Sequence, residues 1–172
     1  MRPYEITAPM PHIIRLATES DASGIAEVFN YYITNGFAAY PESPVDAQFL
    51  TRLRSLTGAY PIYVIESSEQ TVVGFATIRP YHFADSLRRT AEVAYFILPG
   101  HTGHGLGSRV LAMLEADAKS SGVDTFLASI SSRNGQSIHF HEKHGFTECG
   151  RFRRVGKKFD QDYDIVWMQK FI

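Results

Sequence analysis

The sequence contains a single cysteine, no long apolar run and no excess of charge of one sign. Cys149 has no second cysteine for an internal disulfide, which is typical of proteins in the reducing cytoplasm. No apolar stretch reaches the ~18 residues that a membrane-spanning helix requires. The net charge of -1 lacks the basic excess of a typical nucleic-acid-binding protein. The N-terminal residues also lack the apolar segment of a secretory signal, so we expect a cytoplasmic protein that engages neither membranes nor nucleic acid.

Length and composition are those of one globular domain. The chain has 172 residues, of which 44% are hydrophobic and 20% charged, so it can bury a core and is not expected to be disordered. Residues 1–11 contain three of the eight prolines, and we expect them to form a flexible tail. We expect residues 12–172 to form a single domain, because no internal repeat or linker interrupts them.

Apolar residues recur with periods that alternate between strand and helix along the chain. The predicted order is β-α-α-β-β-β-α-β-α-β-β, which indicates an α/β domain of the α+β type with a mixed sheet. The second helix is predicted to begin at Pro44 and to bury an apolar stripe from Phe49 to Leu56. Strands over 61–67 and 72–80 are separated by a short polar turn, which predicts a hairpin.

Four glycines fall within eight positions of PGHTGHGLGSRVL, residues 99–111, directly before a helical pattern of apolar residues. A strand, a glycine-rich turn and a helix together present free backbone N–H groups to an anion. A P-loop requires a lysine after its last glycine, but Gly107 is followed by Ser108 and Arg109. A dinucleotide fingerprint requires a third glycine at the position of Ser108. The spacing therefore excludes both motifs and leaves another anion-binding loop or a tight turn that needs positive φ.

Three segments taken together identify the family that the chain resembles. They are TAE at 90–92, PGHTGHGLG at 99–107 and N-x-x-S-x-x-x-H-E-x-x-G-F at 134–146. With them the chain resembles the GNAT acyltransferase superfamily, and within it the phosphinothricin and L-amino-acid N-acetyltransferase branch. The resemblance implies the GNAT fold, with a mixed, largely antiparallel sheet flanked by about four helices. It also implies a homodimer that transfers acetyl from acetyl-CoA to the primary amine of a small molecule, an amino acid or a phosphinothricin-like compound.

The resemblance further implies which residues hold the coenzyme. Backbone N–H groups from about 102 to 108 would donate to its diphosphate, and the backbone of Phe96 and Ile97 would hydrogen-bond the pantetheine arm. Asn134 and Ser137 lie on the segment that contacts pantetheine, although an asparagine there is also a typical helix N-cap. Thr102 departs from the pattern, which often has Gln or Arg at its position. The implied coenzyme-binding residues of the loop are Thr102, Gly103, His104, Gly105, Leu106, Gly107 and Ser108.

Two residues carry the implied chemistry of acyl transfer. Glu92 would act as the general base, a role that suits a carboxylate whose burial raises its pKa; the alternative is an ordinary surface carboxylate. His141 stands where many GNAT enzymes have a tyrosine that acts as an acid toward the departing thiolate, and the alternative is a core histidine with satisfied hydrogen bonds. Beyond Glu92 the strand would separate from its neighbour. Cys149 is expected to be a packing residue rather than a nucleophile.

The histidine-rich run HFHEKH, residues 139–144, raises the question of a metal site. It does not match HExxH, because His141 and His144 are only three positions apart. On a helix that turns ~100° per residue, His139 and His141 point in roughly opposite directions. We therefore expect no metal.

The loop before the catalytic strand carries the basic and aromatic residues with which this branch binds its substrate. The A-Y-x-x-T segment of the branch is replaced here by Ser86–Thr90, which has no tyrosine and argues against phosphinothricin itself. Arg88 or Arg89 could bind a carboxylate, or both could be solvated surface residues. Phe37 and Tyr40 could form the opposite wall of the site. The residues expected to line the acceptor site are Phe37, Arg79, Tyr81 and Arg88.

Two other functions fit the same fold. One is acetylation of a protein N-terminus or lysine, and the other is a non-catalytic coenzyme A sensor. The presence of Glu92 and His141 argues against the sensor.

Overall fold

The computed structural model describes residues 12–172, and the tail predicted over residues 1–11 lies outside the described residues. The strands and α-helices follow the predicted order. They are β1 (Ile13–Leu16), α1 (Ala22–Thr34), α2 (Phe49–Thr57), β2 (Ile62–Glu66), β3 (Val72–Pro80), β4 (Thr90–Ile97), α3 (Leu106–Ser120), β5 (Thr125–Ser131), α4 (Gly135–Lys143), β6 (Thr147–Lys158) and β7 (Gln161–Phe171).

The seven strands form one mixed sheet in the order β1-β2-β3-β4-β5-β7-β6. Neighbouring strands are antiparallel except β4 and β5, which are parallel. The predicted hairpin joins β2 and β3 through a turn in which the Ser67 N–H donates to the Thr71 carbonyl at 2.9 Å. The predicted fold class, a mixed and largely antiparallel sheet flanked by helices, is confirmed.

The helices pack on opposite faces of the sheet. Helix α3 joins β3, β4, β5 and β7 in the larger core, and each fully buried aliphatic side chain there contributes about 1.5–3 kcal/mol. Helices α1 and α2 pack with β2 and β3 in a second core on the other face. The buried apolar residues of α3 are Leu106, Val110, Leu111, Leu114 and Ala118.

The predicted start of α2 at Pro44 is wrong, because the helix begins at Phe49. The segment before it is held in an irregular path by the Asn30 side chain of α1. The Asn30 Nδ2 donates to the Val45 carbonyl at 2.8 Å, and the Val45 N–H donates to Asn30 Oδ1 at 2.7 Å. This tertiary contact outweighs the preference of proline for the first helical turn.

The buried stripe of α2 also differs from the predicted one. Leu50, Leu53 and Thr57 face the core at helical spacing, whereas Leu56 lies off that stripe and is 56% exposed. The inward position of the last turn is therefore taken by a threonine, which the apolar pattern alone does not indicate.

Candidate active site

Strands β4 and β5 separate in the middle of the sheet. Their pairing covers only Thr90–Glu92 opposite Thr125–Leu127, although β4 continues to Ile97 and β5 to Ser131. On its other side, β4 stays paired with β3 as far as Ile97. The part of β4 beyond Glu92 therefore has one open edge, as the sequence resemblance implied.

Successive residues of β4 direct their backbone groups to opposite sides. The Phe96 carbonyl oxygen faces β3, because it would lie 2.8 Å from a Cβ placed on Gly74. The backbone groups of Tyr95 and Ile97 consequently face the open edge. The Ile97 carbonyl accepts a hydrogen bond from the Tyr32 hydroxyl of α1. Of the two residues expected to offer backbone to pantetheine, Ile97 is suitably oriented, whereas the Phe96 carbonyl is directed at β3.

The glycine-rich loop between β4 and α3 turns bare backbone toward a cavity. Gly103 and Gly105 have φ angles of 81° and 75°, a left-handed conformation that costs other residues roughly 1–2 kcal/mol. A Cβ on either glycine would meet no heavy atom within 4 Å, so both border open space. Position 107 needs glycine for a different reason, because a Cβ there would lie 3.0 Å from the ring of Phe140 on α4. The loop thus needs glycine both for its path and for close packing.

The backbone N–H groups of residues 103–108 find no acceptor among residues 12–172. A run of unpaired amides next to a helix N-terminus is a typical anion-binding arrangement. The expectation that the Thr102 N–H is also free to donate to the coenzyme diphosphate is wrong. That group donates to the Pro99 carbonyl at 3.2 Å, and the Thr102 hydroxyl donates to the same oxygen at 2.8 Å. Thr102 therefore closes the preceding turn.

Helix α4 forms the wall that faces this loop. Asn134 caps the helix, with its Oδ1 accepting the Ser137 N–H at 3.2 Å, so the N-cap role of Asn134 is confirmed. Ser108 and His144 connect the loop to the helix. His144 Nδ1 lies 2.7 Å from the Phe140 carbonyl and must carry the proton of the neutral ring. His144 Nε2 then accepts from the Ser108 hydroxyl at 2.7 Å.

The open edge of β4, the loop and α4 enclose a cavity of about 310 Å³. The residues predicted to bind the coenzyme that line it are Phe96, Ile97, Thr102, Gly103, Gly105, Leu106, Gly107, Ser108, Asn134 and Ser137. Sequence reasoning missed other lining residues, although those of α4 recur at the helical spacing of Asn134 and Ser137 and could have been found from it. The missed residues are Tyr32, Ala38, Tyr95, Gln136, Phe140, Lys143 and His144.

His104 was predicted to bind the coenzyme, but its side chain does not line this cavity. It lies on the other side of the loop, in a second cavity together with His12, His101 and Arg109. The neighbouring Gly103 and Gly105 line the first cavity. Only the backbone N–H of His104 is therefore available to a ligand there.

Glu92 occupies the last paired position before β4 and β5 separate, and it is 9% exposed. Its Oε2 accepts a hydrogen bond from Arg79 Nη2 at 2.6 Å, and its Oε1 accepts one from the Ser129 hydroxyl at 2.7 Å. Arg79 lies directly opposite on β3. Burial and the ion pair exclude the alternative of an ordinary surface carboxylate.

The segment 36–40, which follows α1, is fixed by a buried lysine from β6. Lys158 Nζ donates to the carbonyls of Gly36 and Ala39 at 2.9 and 2.8 Å, and the residue is only 2% exposed. Burial lowers the pKa of Lys158. Because a buried ammonium without partners is costly, these two carbonyls bind the lysine and the segment to each other.

The last residue of this segment reaches the neighbourhood of Glu92. The Tyr40 hydroxyl donates to the Ser129 carbonyl at 3.0 Å, and the Ser129 hydroxyl in turn donates to Glu92. Burial raises the pKa of Tyr40 to about 12, so the phenol stays protonated. A continuous set of contacts therefore runs from Lys158 through segment 36–40 to the carboxylate.

His141 lies behind the cavity wall rather than in it, and it is 3% exposed. Its Nδ1 lies 2.7 Å from the Ser137 carbonyl and carries the proton, so Nε2 accepts a hydrogen bond from the Tyr95 hydroxyl. Burial lowers the pKa of His141 to about 4 and raises the pKa of Tyr95 well above its ordinary value. The expected role of His141 as an acid facing the coenzyme does not fit this placement. It is a core histidine with both nitrogens satisfied, and it positions Tyr95.

Of the residues predicted to bind the acceptor, Arg79 and Phe37 lie near the Glu92 end. Arg79 pairs with Glu92 as described above. Phe37 packs edge-on against Tyr163, with ring centroids 5.7 Å apart, and Tyr163 stacks on Tyr40. Phe37 is therefore linked to the neighbourhood of Glu92 indirectly, through Tyr163 and Tyr40, whereas Arg79 contacts Glu92 itself.

The other two predicted acceptor residues lie on the exposed loop before β4. Tyr81 is 44% exposed and meets Trp167 edge-on at 6.3 Å. Arg88 is exposed, which agrees with the alternative that it is a solvated surface residue. Cys149, expected to pack, is an exposed free cysteine on β6.

The part of the chain that the structure describes holds no cluster of three or more His, Cys, Asp or Glu residues suited to bind a metal ion. None of its helices is both long and apolar enough to cross a membrane.

Comparisons with known proteins identify the family. Residues 25–146 match the acetyltransferase (GNAT) family. The chain is 33% identical over 159 residues to the L-amino acid N-acyltransferase MnaT of Escherichia coli (strain K12), and the alignment covers 91% of both chains.

Two solved structures extend the similarity to three dimensions. A phosphinothricin acetyltransferase (Pat) from Sinorhizobium meliloti in complex with AcCoA is 26% identical with a TM-score of 0.87, covering 95% of this chain and 89% of that one. A ribosomal-protein-alanine N-acetyltransferase from Brucella melitensis is 31% identical with a TM-score of 0.84, covering 93% and 99%. This chain belongs to the acetyltransferase (GNAT) family of acyl-transferring enzymes.

Proposed function

We propose that this protein transfers the acetyl group of acetyl-CoA directly to the primary amine of an amino acid or an amino-acid-like compound. The observation that carries the proposal is the position of Glu92. This buried carboxylate lies where β4 and β5 separate, three residues before Tyr95. Tyr95 lines the cavity that the unpaired amides of residues 103–108 border. An acceptor for the amine proton and a binding site for the acyl donor therefore lie within a few residues of each other on β4, where this strand leaves β5.

Acetyl-CoA would be held mainly by the protein backbone. The amides of residues 103–108 suit its diphosphate, because hydrogen bonds to an ionised acceptor are about twice as strong as neutral ones. The open edge of β4 at Tyr95 and Ile97 suits the amides of the pantetheine arm, which can pair with it as an added strand would. Lys143 lines the same cavity and adds positive charge.

Glu92 would prepare the acceptor for attack. The ammonium group of the acceptor gives one proton to the Glu92 carboxylate, directly or through water. The neutral nitrogen then attacks the acetyl carbon, the carbon–sulfur bond breaks, and the second proton lost by nitrogen neutralises the thiolate. General base catalysis typically contributes about 10²–10⁴-fold, and alignment of the two reactants can contribute about 7–11 kcal/mol. No acyl-enzyme intermediate is involved.

The pair of Glu92 and Arg79 matches the two charges of an amino acid. Arg79 uses one nitrogen for Glu92, its side chain is 47% exposed, and its other N–H groups have no partner within residues 12–172. A guanidinium in this position can bind a carboxylate through two parallel hydrogen bonds. We therefore propose that Arg79 binds the carboxylate of the acceptor while Glu92 takes its ammonium proton. The name of MnaT, an L-amino acid N-acyltransferase, supports this class of substrate.

A thiol-release assay across a panel of amines tests the proposed function. The panel contains L-amino acids, phosphinothricin, and for each amino acid the matching amine without the carboxylate. We expect turnover with one or more amino acids, and at least about tenfold lower kcat/KM for the matching amines, the loss expected for one charge-assisted hydrogen-bonded pair. Absence of thiol release with every amine would contradict the proposal.

Acetylation of a protein N-terminus is a second candidate, favoured by the similarity to the ribosomal-protein-alanine N-acetyltransferase. A free amino acid fits the acceptor site better than a protein N-terminus does, because Lys158 and Tyr40 hold segment 36–40 close to Glu92. Peptides that begin with alanine belong in the same panel. A peptide turned over faster than every free amino acid would favour the second candidate.

We further propose that the enzyme is a cytoplasmic homodimer. The edge strand β6 exposes Phe152 and Val155, and Phe159 directly after the strand is exposed too, each by more than half. An exposed apolar edge strand is a liability unless it is covered, and a second copy would cover it. Light scattering is expected to give twice the chain mass of 19.3 kDa. A single-chain mass at assay concentration would refute the dimer.

A further inference from the structure

A second cavity lies on the opposite side of the glycine-rich loop from the proposed coenzyme site. Its volume is about 840 Å³, and it is bordered by the turn between β2 and β3, the loop, and the start of α3. The hydroxyl-bearing Ser67, Ser68 and Thr71 of the turn form one wall. Leu106 borders both cavities.

Basic side chains converge on this second cavity. His12, His101, His104 and Arg109 all line it. His12 Nε2 lies 2.8 Å from His101 Nδ1, and the rings of His12 and His104 have centroids 6.4 Å apart. Among the described lining residues, Glu69 is the one carboxylate. Because the His12–His101 hydrogen bond leaves one of its two nitrogens unprotonated, this pair can carry one positive charge. The cavity can therefore hold up to three positive charges against one negative charge.

Protonation of His12 in this cluster is unfavourable without a counter-ion. Burial and the neighbouring His101, His104 and Arg109 lower the pKa of His12. Arg109 takes part in none of the ion pairs found within residues 12–172. Like charges brought together at a cavity destabilise the protonated form of His12, and a bound anion offsets that cost.

We propose that the second cavity binds a phosphate monoester dianion, held by His104, Arg109 and the protonated His12–His101 pair. Serine and threonine hydroxyls of the β2–β3 turn complete the set of donors. One loop then binds two anions on opposite sides, the diphosphate through its backbone and the monoester through its side chains. The monoester has two possible sources, the 3′-phosphate of coenzyme A itself and a separate phosphorylated small molecule. The proposal rests on the proposed function only in assigning the first cavity to acetyl-CoA.

Calorimetric titration with inorganic phosphate tests this proposal and identifies the source. The protein is first saturated with acetyl-CoA or with 3′-dephospho-acetyl-CoA, so that the first cavity is filled in both arms. Binding of phosphate to both complexes supports a separate phosphorylated ligand. Binding only to the dephospho complex supports occupation by the 3′-phosphate of the coenzyme. Absence of saturable phosphate binding in both complexes would overturn the proposal.

Two variants show whether the bound phosphate is in the second cavity. Arg109→Gln is expected to weaken phosphate binding at least about tenfold, the loss typical of one charge-assisted pair. Lys119→Gln, which removes an exposed cation from the other end of α3, is expected to leave it unchanged. Equal affinity in Arg109→Gln and the unmodified protein would overturn the assignment.

The two proposals can fail independently. If neither coenzyme form binds, the proposed function fails. The phosphate titration of the free protein, compared between Arg109→Gln and Lys119→Gln, then still tests the second cavity. If the coenzyme binds and the phosphate affinity is the same with and without Arg109, only the second-cavity proposal fails.

Discussion

Strand β4 carries a buried titratable group against each of its two faces, and their surroundings differ. On the face toward segment 36–40, Glu92 contacts the half-exposed guanidinium of Arg79 and the Ser129 hydroxyl. On the face toward α4, Tyr95 contacts the imidazole of His141, which is enclosed by neutral partners. The alternation of side chains along a strand separates these two groups although they lie close in sequence.

The difference shows how burial can serve either chemistry or structure. A buried carboxylate that keeps a cationic partner and contact with solvent can exchange protons with a substrate. A buried imidazole whose nitrogens are both satisfied by the protein cannot deliver a proton without breaking those hydrogen bonds. We therefore assign proton transfer to the Glu92 face and positioning of the cavity wall to the His141 face.

The largest effect is expected from removing the charge of Glu92. Glu92→Gln should lower kcat by about 10²–10⁴-fold, because the amide cannot accept the proton of the acceptor amine. The affinity for acetyl-CoA should change less than about twofold, within what an unrelated site allows. Steady-state kinetics and calorimetry measure the two quantities.

The control for Glu92→Gln is Asp124→Asn, which removes an exposed carboxylate paired with Arg89. Its kcat should be unchanged. An unchanged kcat in Glu92→Gln would remove the distinction between the two faces of β4.

The second effect is a pH dependence of stability that comes from His141. Its pKa is about 4 in the folded chain against an ordinary value of 6.5, so the unfolded chain binds more protons between these pH values. The contribution of neutral His141 to the free energy of unfolding is complete above about pH 6.5. It is lost as the pH falls toward 4, and it amounts to roughly 3 kcal/mol in total. Urea unfolding at several pH values measures it.

The variant His141→Gln should flatten this pH dependence. His139→Gln is the matched control on the same helix, because the His139 side chain is 82% exposed. If the slope of the unfolding free energy against pH is the same in both variants, His141 is not the buried neutral group described here.

The third effect concerns the lysine that fixes segment 36–40. Lys158→Met keeps the length of the side chain but leaves the carbonyls of Gly36 and Ala39 without their donor. Loss of this anchor should raise the KM for the amine by roughly tenfold, equivalent to about 1.4 kcal/mol, while kcat and acetyl-CoA affinity change little. A merely structural role would lower the free energy of unfolding without changing KM.

Lys157→Met provides the control for this experiment, since its side chain is 63% exposed. An unchanged KM in Lys158→Met, with the unmodified enzyme active on the same amine, would show that segment 36–40 does not shape the acceptor site.

Local sequence patterns predicted the elements and the glycine-rich loop, whereas the coenzyme-binding role of the loop came from the family resemblance. The order of strands and helices follows from apolar periodicity, and the glycines of the loop mark positive φ angles whatever the rest of the chain does. Helix α3 was predicted by its buried stripe for the same reason. Features that depend on a few neighbouring residues could therefore be predicted.

Long-range contacts could not be predicted in this way. The partner of His141 is 46 residues away on β4, and Lys158 binds a carbonyl 122 residues away. No short pattern records such pairs, so His141 was assigned to the coenzyme and Lys158 was not singled out. The start of α2 was wrong for the same reason, because Asn30 of α1 decides it.

The direct reaction of amine and thioester across the open edge of β4 is the central claim. Initial velocities measured while the amine and acetyl-CoA are varied together test it most directly. Direct transfer in a complex of all three components predicts double-reciprocal lines that intersect. Parallel lines, the pattern of a covalent acyl-enzyme, would contradict the account.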